Sequence, residues 1–223
     1  MKVSIVIPVY NEEKYIENCL KNIINQIEKP DEIIIVDNNC TDNTINIAKK
    51  FGVKIIQEKK QGMIHARNCG FNYASSDIIA RCDADTLVPN DWVKKIKKNF
   101  EKNNLDALTG PLIFYDLFSA TYFGVKFYFW FMKLLTGGVE IIVGPNMIIT
   151  KKIWEKVKNQ VCLNDKEVHE DIDISIHIHQ VGGIIKNDSN LSVQASGRRI
   201  KSNPLSFFFE YPIRAIKTLR KHK

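Results

Sequence analysis

The sequence predicts an α/β protein with a mostly parallel central sheet and helices on both faces. Three observations predict it. Short β-branched apolar runs alternate with segments of helical spacing through the first half of the chain. Acidic residues directly follow the second and fourth runs, where parallel sheets bind ligands. The 223 residues suffice for one sizeable core and are too few for two full domains with linkers.

The elements follow in order. Residues 3–9 are apolar and β-branched and read as a buried strand. Asn11 is expected to cap the first helix, with Glu12 and Glu13 in its first turn. Tyr15, Ile16, Cys19, Leu20, Ile23, Ile24 and Ile27 then recur at helical spacing. Residues 33–36 are a second strand, Thr41 to Thr44 open a second helix, and residues 53–56 are a third strand. Residues 62–74 read as a helix, 78–82 as a fourth strand and 91–100 as a helix. Later come a strand at 107–113, an aromatic stretch at 114–131, and a strand and turn across 139–149. A short helix at 150–157, a helix at 170–181 and short strands at 184–186 and 191–194 complete the pattern. The expected organisation is one domain over residues 1–200, with a nucleotide-binding half at 1–104 and an acceptor half at 105–200. Residues 201–223 form a basic aromatic tail.

The formal charge is +7, and much of it falls late, in Arg198, Arg199, Lys201, Arg214, Lys217, Arg220, Lys221 and Lys223. Such a tail suits nucleic acid, an anionic membrane surface or a phosphorylated substrate. The five cysteines form no CxxC pair, and no signal peptide is evident before the first strand, so a cytoplasmic protein with reduced thiols is expected. No window is long and apolar enough to span a bilayer; residues 117–132 come nearest and are interrupted by Lys126. The aromatic stretch and a second group at Pro204, Phe207, Phe208, Phe209 and Tyr211 fit peripheral contact with the inner face of a membrane, or a core or dimer contact.

Cys82-Asp83-Ala84-Asp85 carries the sharpest chemistry. Two carboxylates one residue apart, just past a buried strand, repel each other unless a cation lies beside them. Hard oxygen ligands favour Mg2+ or Mn2+, which keep positions open for phosphate oxygens. The bland alternative is a surface turn with helix-capping aspartates. Asp37-Asn38-Asn39, after the second strand, offers hydrogen bonds to a nucleobase edge and a ribose hydroxyl; its alternative is an ordinary turn. His177 and His179 are two apart on one helix and diverge, so a zinc pair there is not expected.

The motifs, taken in order, resemble the family 2 glycosyltransferases of GT-A fold. The matching stretches are Ile7-Pro8-Val9-Tyr10-Asn11-Glu12, the loop from Ile35 to Thr44, Ala66-Arg67-Asn68, Asp83-Ala84-Asp85, Gly144-Pro145-Asn146 and His169-Glu170-Asp171. The resemblance spans about residues 3 to 195. It implies an inverting transfer from a UDP- or GDP-linked sugar to a hydroxyl acceptor, glycan or lipid-linked. It further implies that Pro8, Tyr10, Asp37, Arg67, Asp83 and Asp85 meet the donor. Asp85 would ligate Mg2+ or Mn2+ directly, Asp83 would act through ribose or water, and Asp171 would be the general base. Asn146 and Glu170 would contact acceptor or diphosphate; Arg198 or Arg199, on guanidinium chemistry rather than on the resemblance, would clamp the diphosphate, the alternative being a solvated basic loop. The chain departs from the family where Asp37-Asn38-Asn39-Cys40 replaces an Asp-Asp-Gly-Ser pattern. Ser196-Gly197-Arg198-Arg199 stands where some members supply a histidine to the metal.

The absence of GxGxxG after the first strand and of GxxxxGK[ST] disfavours dinucleotide and P-loop readings. A nucleotidyltransferase is the nearest rival, but Pro8-Val9-Tyr10-Asn11 is not its Gly-rich basic loop. A non-catalytic basic module binding membrane or nucleic acid is the rival from another class; nucleic acid is not expected.

Overall fold

The apolar run at the start becomes β1 (Val3–Val9), and every residue in it is buried. Its side chains alternate between two cores. Val3, Ile5, Ile7 and Val9 join one apolar cluster, while Val6 joins the cluster on the opposite face of the sheet. A computed structural model describes residues 1–117, 120–203 and 210–222; the side chains of 120–123, 125, 128, 199 and 211 lie outside that description.

β2 (Glu32–Asp37), β3 (Lys54–Gln57) and β4 (Ile78–Arg81) pair in parallel around β1. The chain then adds β8 (Met147–Thr150) antiparallel to β4, followed by β6 (Ala107–Thr109) and β9 (Ile185–Asn187). The seven-stranded order is β3-β2-β1-β4-β8-β6-β9. α1 (Ile16–Ile24), α2 (Thr44–Lys49) and α4 (Trp92–Lys102) contribute to the first cluster. α3 (Met63–Tyr73), α6 (Lys151–Val157) and α7 (Glu170–Gln180) contribute to the second. α3 lies close on the sheet because Gly70 faces it: a Cβ there would meet Val6 Cγ1 at 2.3 Å and Val36 Cγ2 at 2.8 Å.

Three expectations are corrected. Asn11 does not cap α1. It sits in the left-handed region at φ 55°, which Asn tolerates better than most residues, and the helix starts five residues later. Its Oδ1 instead accepts the Thr41 N–H at 2.8 Å, tying the end of β1 to the loop after β2. The strand expected at 107–113 is two strands. The chain leaves β6 at Gly110-Pro111, where a Cβ on Gly110 would lie 2.2 Å from Leu191 O, and enters β7 (Leu112–Phe114) in another sheet. There β7 and the unexpected β5 (Thr86–Leu87) flank β10 (Val193–Ala195). Most of 139–149 is not strand. It is a turn whose polar groups close on Thr109: its hydroxyl donates to Asn146 O and accepts from Val143 N–H, each at 3.0 Å.

The aromatic stretch gives α5 (Ala120–Leu135), with Phe127, Trp130, Phe131, Leu134 and Leu135 exposed and Met132 buried. Phe114 lies in β7 and Tyr115 follows it. Phe118, Pro204, Phe207, Phe208, Phe209 and Lys223 lie outside the described residues, as do the side chains of Tyr122, Phe123, Tyr128 and Tyr211. The stretch read as a tail holds the end of α8 (Arg198–Ser202) and then α9 (Tyr211–Lys221). α9 is seated on the body: Ala215 and Thr218 are buried, and the Thr218 hydroxyl accepts the His169 N–H at 2.8 Å. Among the described residues no helix is long and apolar enough to cross a membrane.

Candidate active site

Strand register brings Val9 of β1 level with Asp37 of β2, and Val6 level with Arg81 of β4. The carboxyl ends of these parallel strands therefore open onto one edge, as expected for a ligand crevice. A cavity of about 770 Å³ lies there, lined among others by Pro8, Tyr10, Glu12, Asp83, Asp85, Gly144, Glu170, Asp171 and Arg198.

Asp83 and Asp85 differ in how they are held. Asp83 follows β4 and pairs with the last residue of that strand: Arg81 Nη2 lies 2.9 Å from Asp83 Oδ1. Arg81 Nη1 lies 2.8 Å from Glu170 Oε1, so one guanidinium joins the strand end to the start of α7. The Arg81 side chain is only 2% exposed. Burial opposes its charge, but Glu170 and Asp83 outweigh this and hold its pKa above the usual guanidinium value. Arg67 of α3 closes the group, with Nη1 3.3 Å from Glu170 Oε2 and Nε and Nη2 on its neighbour Asn68. Burial pushes Glu170 up, yet Arg81 and Arg67 bring it below the usual carboxylate range.

Asp85 Oδ2 instead pairs with Arg198 Nε at 3.0 Å. The same guanidinium pairs with Glu12 through Nη2 and stacks over the Tyr15 ring at 4.4 Å. Glu12 Oε2 is buried with no hydrogen-bond partner among the described residues. Asp83, Asp85 and Glu12 thus border the cavity with hard oxygen donors, one of them unspent, and this donor chemistry fits Mg2+ or Mn2+.

Asp171 stands in the first turn of α7, beside Glu170. Its Oδ2 accepts the Gly144 N–H at 3.0 Å, and its Oδ1 is buried with no hydrogen-bond partner among the described residues. Gly144 permits this approach, since a Cβ there would lie 2.9 Å from Oδ1. Burial, reinforced by the Glu170 charge, pushes the Asp171 carboxyl up to about 7. An acid that close to neutrality can exchange a proton with a hydroxyl group at physiological pH.

The remaining sequence-derived residues divide. Pro8 and Tyr10 line the cavity. Asp37 sits at the same sheet edge, with Oδ1 accepting the Cys40 N–H at 2.8 Å. The neighbouring Asn38 is buried and braces the loop before α3, donating to Glu58 O and Lys60 O and accepting from Gly62 N–H. Arg67 is buried and reaches the site through Glu170. Asn146 does not stand as a contact residue: it is fully buried, with Oδ1 accepting from Trp92 Nε1 at 3.0 Å and Nδ2 donating to Leu191 O at 2.6 Å. The Arg199 side chain lies outside the described residues. Arg81 escaped the sequence reading; a lone charge ending the apolar run Ile78-Ile79-Ala80, directly before Cys82-Asp83, was its signal. Glu12 was read as a helix-dipole residue, and only the pairing with Arg198 places it at the site.

The Glycosyl transferase family 2 description matches residues 4–160. The chain belongs to that family. A curated relative, glycosyltransferase GlyA of Streptococcus pneumoniae, is 32% identical over 114 residues, covering 49% of this chain and 16% of GlyA. Two solved structures share the fold. Residues 1–349 of S. aureus TarS, in complex with UDP-GlcNAc, superpose with a TM-score of 0.70 at 19% identity, covering 89% of this chain and 59% of that one. The mannosyltransferase PcManGT from Pyrobaculum calidifontis, in complex with GDP-Man and Mn2+, gives 0.72 at 18%, covering 97% and 64%. The chain therefore spans only part of the length of these relatives. The family 2 member has the GT-A fold, with its mainly parallel sheet and the crevice at the carboxyl edge.

Proposed function

We propose that this chain is a metal-dependent inverting glycosyltransferase, moving a sugar from a UDP- or GDP-linked donor to a hydroxyl acceptor. One observation carries the reading: Asp83 and Asp85 share a single cavity with Asp171, whose free carboxylate oxygen is poised near neutrality. Binding of UDP-GlcNAc by TarS and of GDP-Man with Mn2+ by PcManGT supports both the donor class and the cation. The half at residues 1–104 takes the donor and the half at 105–200 the acceptor.

Asp85 would hold Mg2+ or Mn2+, with Asp83 acting through ribose or water, and the bound cation would supply Lewis-acid neutralisation of the departing diphosphate. Pro8 and Tyr10 flank the base, and Asp37 offers its second carboxylate oxygen to base or ribose. Arg198, released from Asp85, and Arg199 meet the diphosphate, which guanidinium groups bind well. Asp171 Oδ1 accepts the acceptor's proton as the acceptor oxygen attacks the anomeric carbon. The bond to the diphosphate oxygen breaks on the opposite face, so the configuration inverts. Arg81 and Arg67 keep Glu170 charged; that charge raises the basicity of Asp171, and the Gly144 N–H fixes its orientation.

The same reading extends to a lipid-linked acceptor and a peripheral place on the inner membrane face. Exposed Phe127, Trp130, Phe131 and Leu134 on α5, with Lys126 and Lys133 among them, support it. Flotation with anionic vesicles tests this part: Trp130→Ser with Phe127→Ser is expected to lose flotation, and equal flotation contradicts it. The transfer reading is tested by incubating the protein with a panel of nucleotide sugars and Mn2+. Slow release of UDP or GDP from at least one donor is expected, and release from none contradicts it.

A further inference from the structure

We propose that Asp173, His177 and His222 form a second metal site, suited to Zn2+, that staples α9 to α7. It is independent of the transfer reading. Asp173 and His177 are four residues apart on α7 and so share a face. His222 follows the last residue of α9. The Oδ1 of Asp173 lies 2.9 Å from His222 Nε2 and 3.7 Å from His177 Nε2, and one ligand atom from each residue falls within 4.8 Å of the others. Tetrahedral Zn2+, with bonds near 2.0–2.2 Å, holds its ligand atoms roughly 3.3–3.5 Å apart, so the observed spacings bracket what it needs. The two imidazoles meet edge to face, with centroids 4.6 Å apart.

Charge argues the same way. Asp173 is 1% exposed, and its other oxygen accepts the Cys162 N–H at 2.9 Å. Two imidazole nitrogens beside a buried carboxylate oxygen form a set of metal ligands. The neighbouring Lys221 is directed to Cys162 Sγ and Glu167, each at 3.2 Å. A two-nitrogen, one-carboxylate set favours Zn2+ over Mg2+ or Mn2+ and leaves a fourth position for water. Asp173 lies two residues beyond Asp171, hence on another face of α7, and the centre does not compete with the catalytic cavity.

The consequence is mechanical. α9 supplies Pro212 and Arg214 to the cavity wall, and its seat on α7 would be tied by metal across the 45 positions separating His177 from His222. The test uses the full chain carrying Asp85→Ala, stripped with chelator, so that the catalytic carboxylates do not report. Calorimetric titration is expected to give one Zn2+ per chain, with a raised thermal transition. His222→Ala and His177→Ala should each weaken Zn2+ by at least about tenfold, since even residues behind a metal's ligands typically contribute 10–100-fold. Replacement by Co2+ should give visible absorption that His222→Ala removes. His222→Ala, just past the end of α9, decides the matter if His177→Ala does not fold. No Zn2+ binding, or equal binding by His222→Ala, overturns the proposal and leaves a hydrogen-bonded Asp–His latch.

Discussion

Two arginines meet the Asp-x-Asp motif, and they are held in opposite ways. Arg81, 2% exposed, ends a central strand and binds Asp83 and Glu170 together. Arg198, 29% exposed, rides on a five-residue helix and covers Asp85 and Glu12 from outside the sheet. Losing a partner in the first corner strands a buried charge, whereas the second corner can be opened to solvent, cation or phosphate. The contrast teaches why two neighbouring carboxylates can have different tasks. Asp83 is scaffolded by a fixed cation; Asp85 is guarded by a replaceable one.

The largest expected effect lies beyond both corners, on the base that the fixed one supports. Asp171→Asn should lower transfer by about 10²–10⁴ while donor binding survives, as measured by initial rates and donor titration. In the wild type, activity should rise with pH through about 7 as Asp171 loses its proton. Stability should move the other way. A carboxyl with a raised folded-state pKa stabilises the fold while protonated and loses that contribution as pH climbs through the folded value. Metal-free Asp171→Asn should therefore melt above the wild type at pH 8, by on the order of 2–4 kcal/mol, with the gap closing near pH 4. An unchanged rate would falsify the base assignment.

Next comes the fixed corner itself. Arg81→Met should cost about 3–5 kcal/mol in denaturant unfolding, because Glu170 keeps only Arg67. Asn146→Ala should cost on the order of 1–3 kcal/mol for each partner left buried, here Trp92 Nε1 and Leu191 O. The smallest stability change belongs to the open corner. Arg198→Met should shift stability by no more than about 1 kcal/mol yet raise the KM for donor. Equal destabilisation by Arg81→Met and Arg198→Met would erase the distinction between the corners.

The half built from local pattern was legible before any coordinates. β1 to β4 and their helices follow from apolar runs and spacing, and the placement of Asp37 and Asp83 at strand ends follows from them. The second half was less so, because its strands are short and pair far along the chain. Residues 107–113 look like one strand, and only the contact between Gly110 and Leu191 shows why they divide between two sheets. Asn146 was expected as a contact only because the family resemblance puts acceptor-side backbone there, while its amide is spent on a tryptophan 54 residues away. Arg81 was missed because a charge ending a strand is legible as a site residue only when its partner on α7 is known. The same holds for Asp173 and His222, which lie 49 residues apart in sequence and 2.9 Å apart in space.

The most direct measurement follows Mn2+-dependent release of UDP or GDP from the accepted donor in the wild type, Asp85→Ala and Arg198→Met, side by side. Release should vanish in Asp85→Ala and persist, with a raised KM, in Arg198→Met. Release by Asp85→Ala at the wild-type rate would contradict the metal–diphosphate centre.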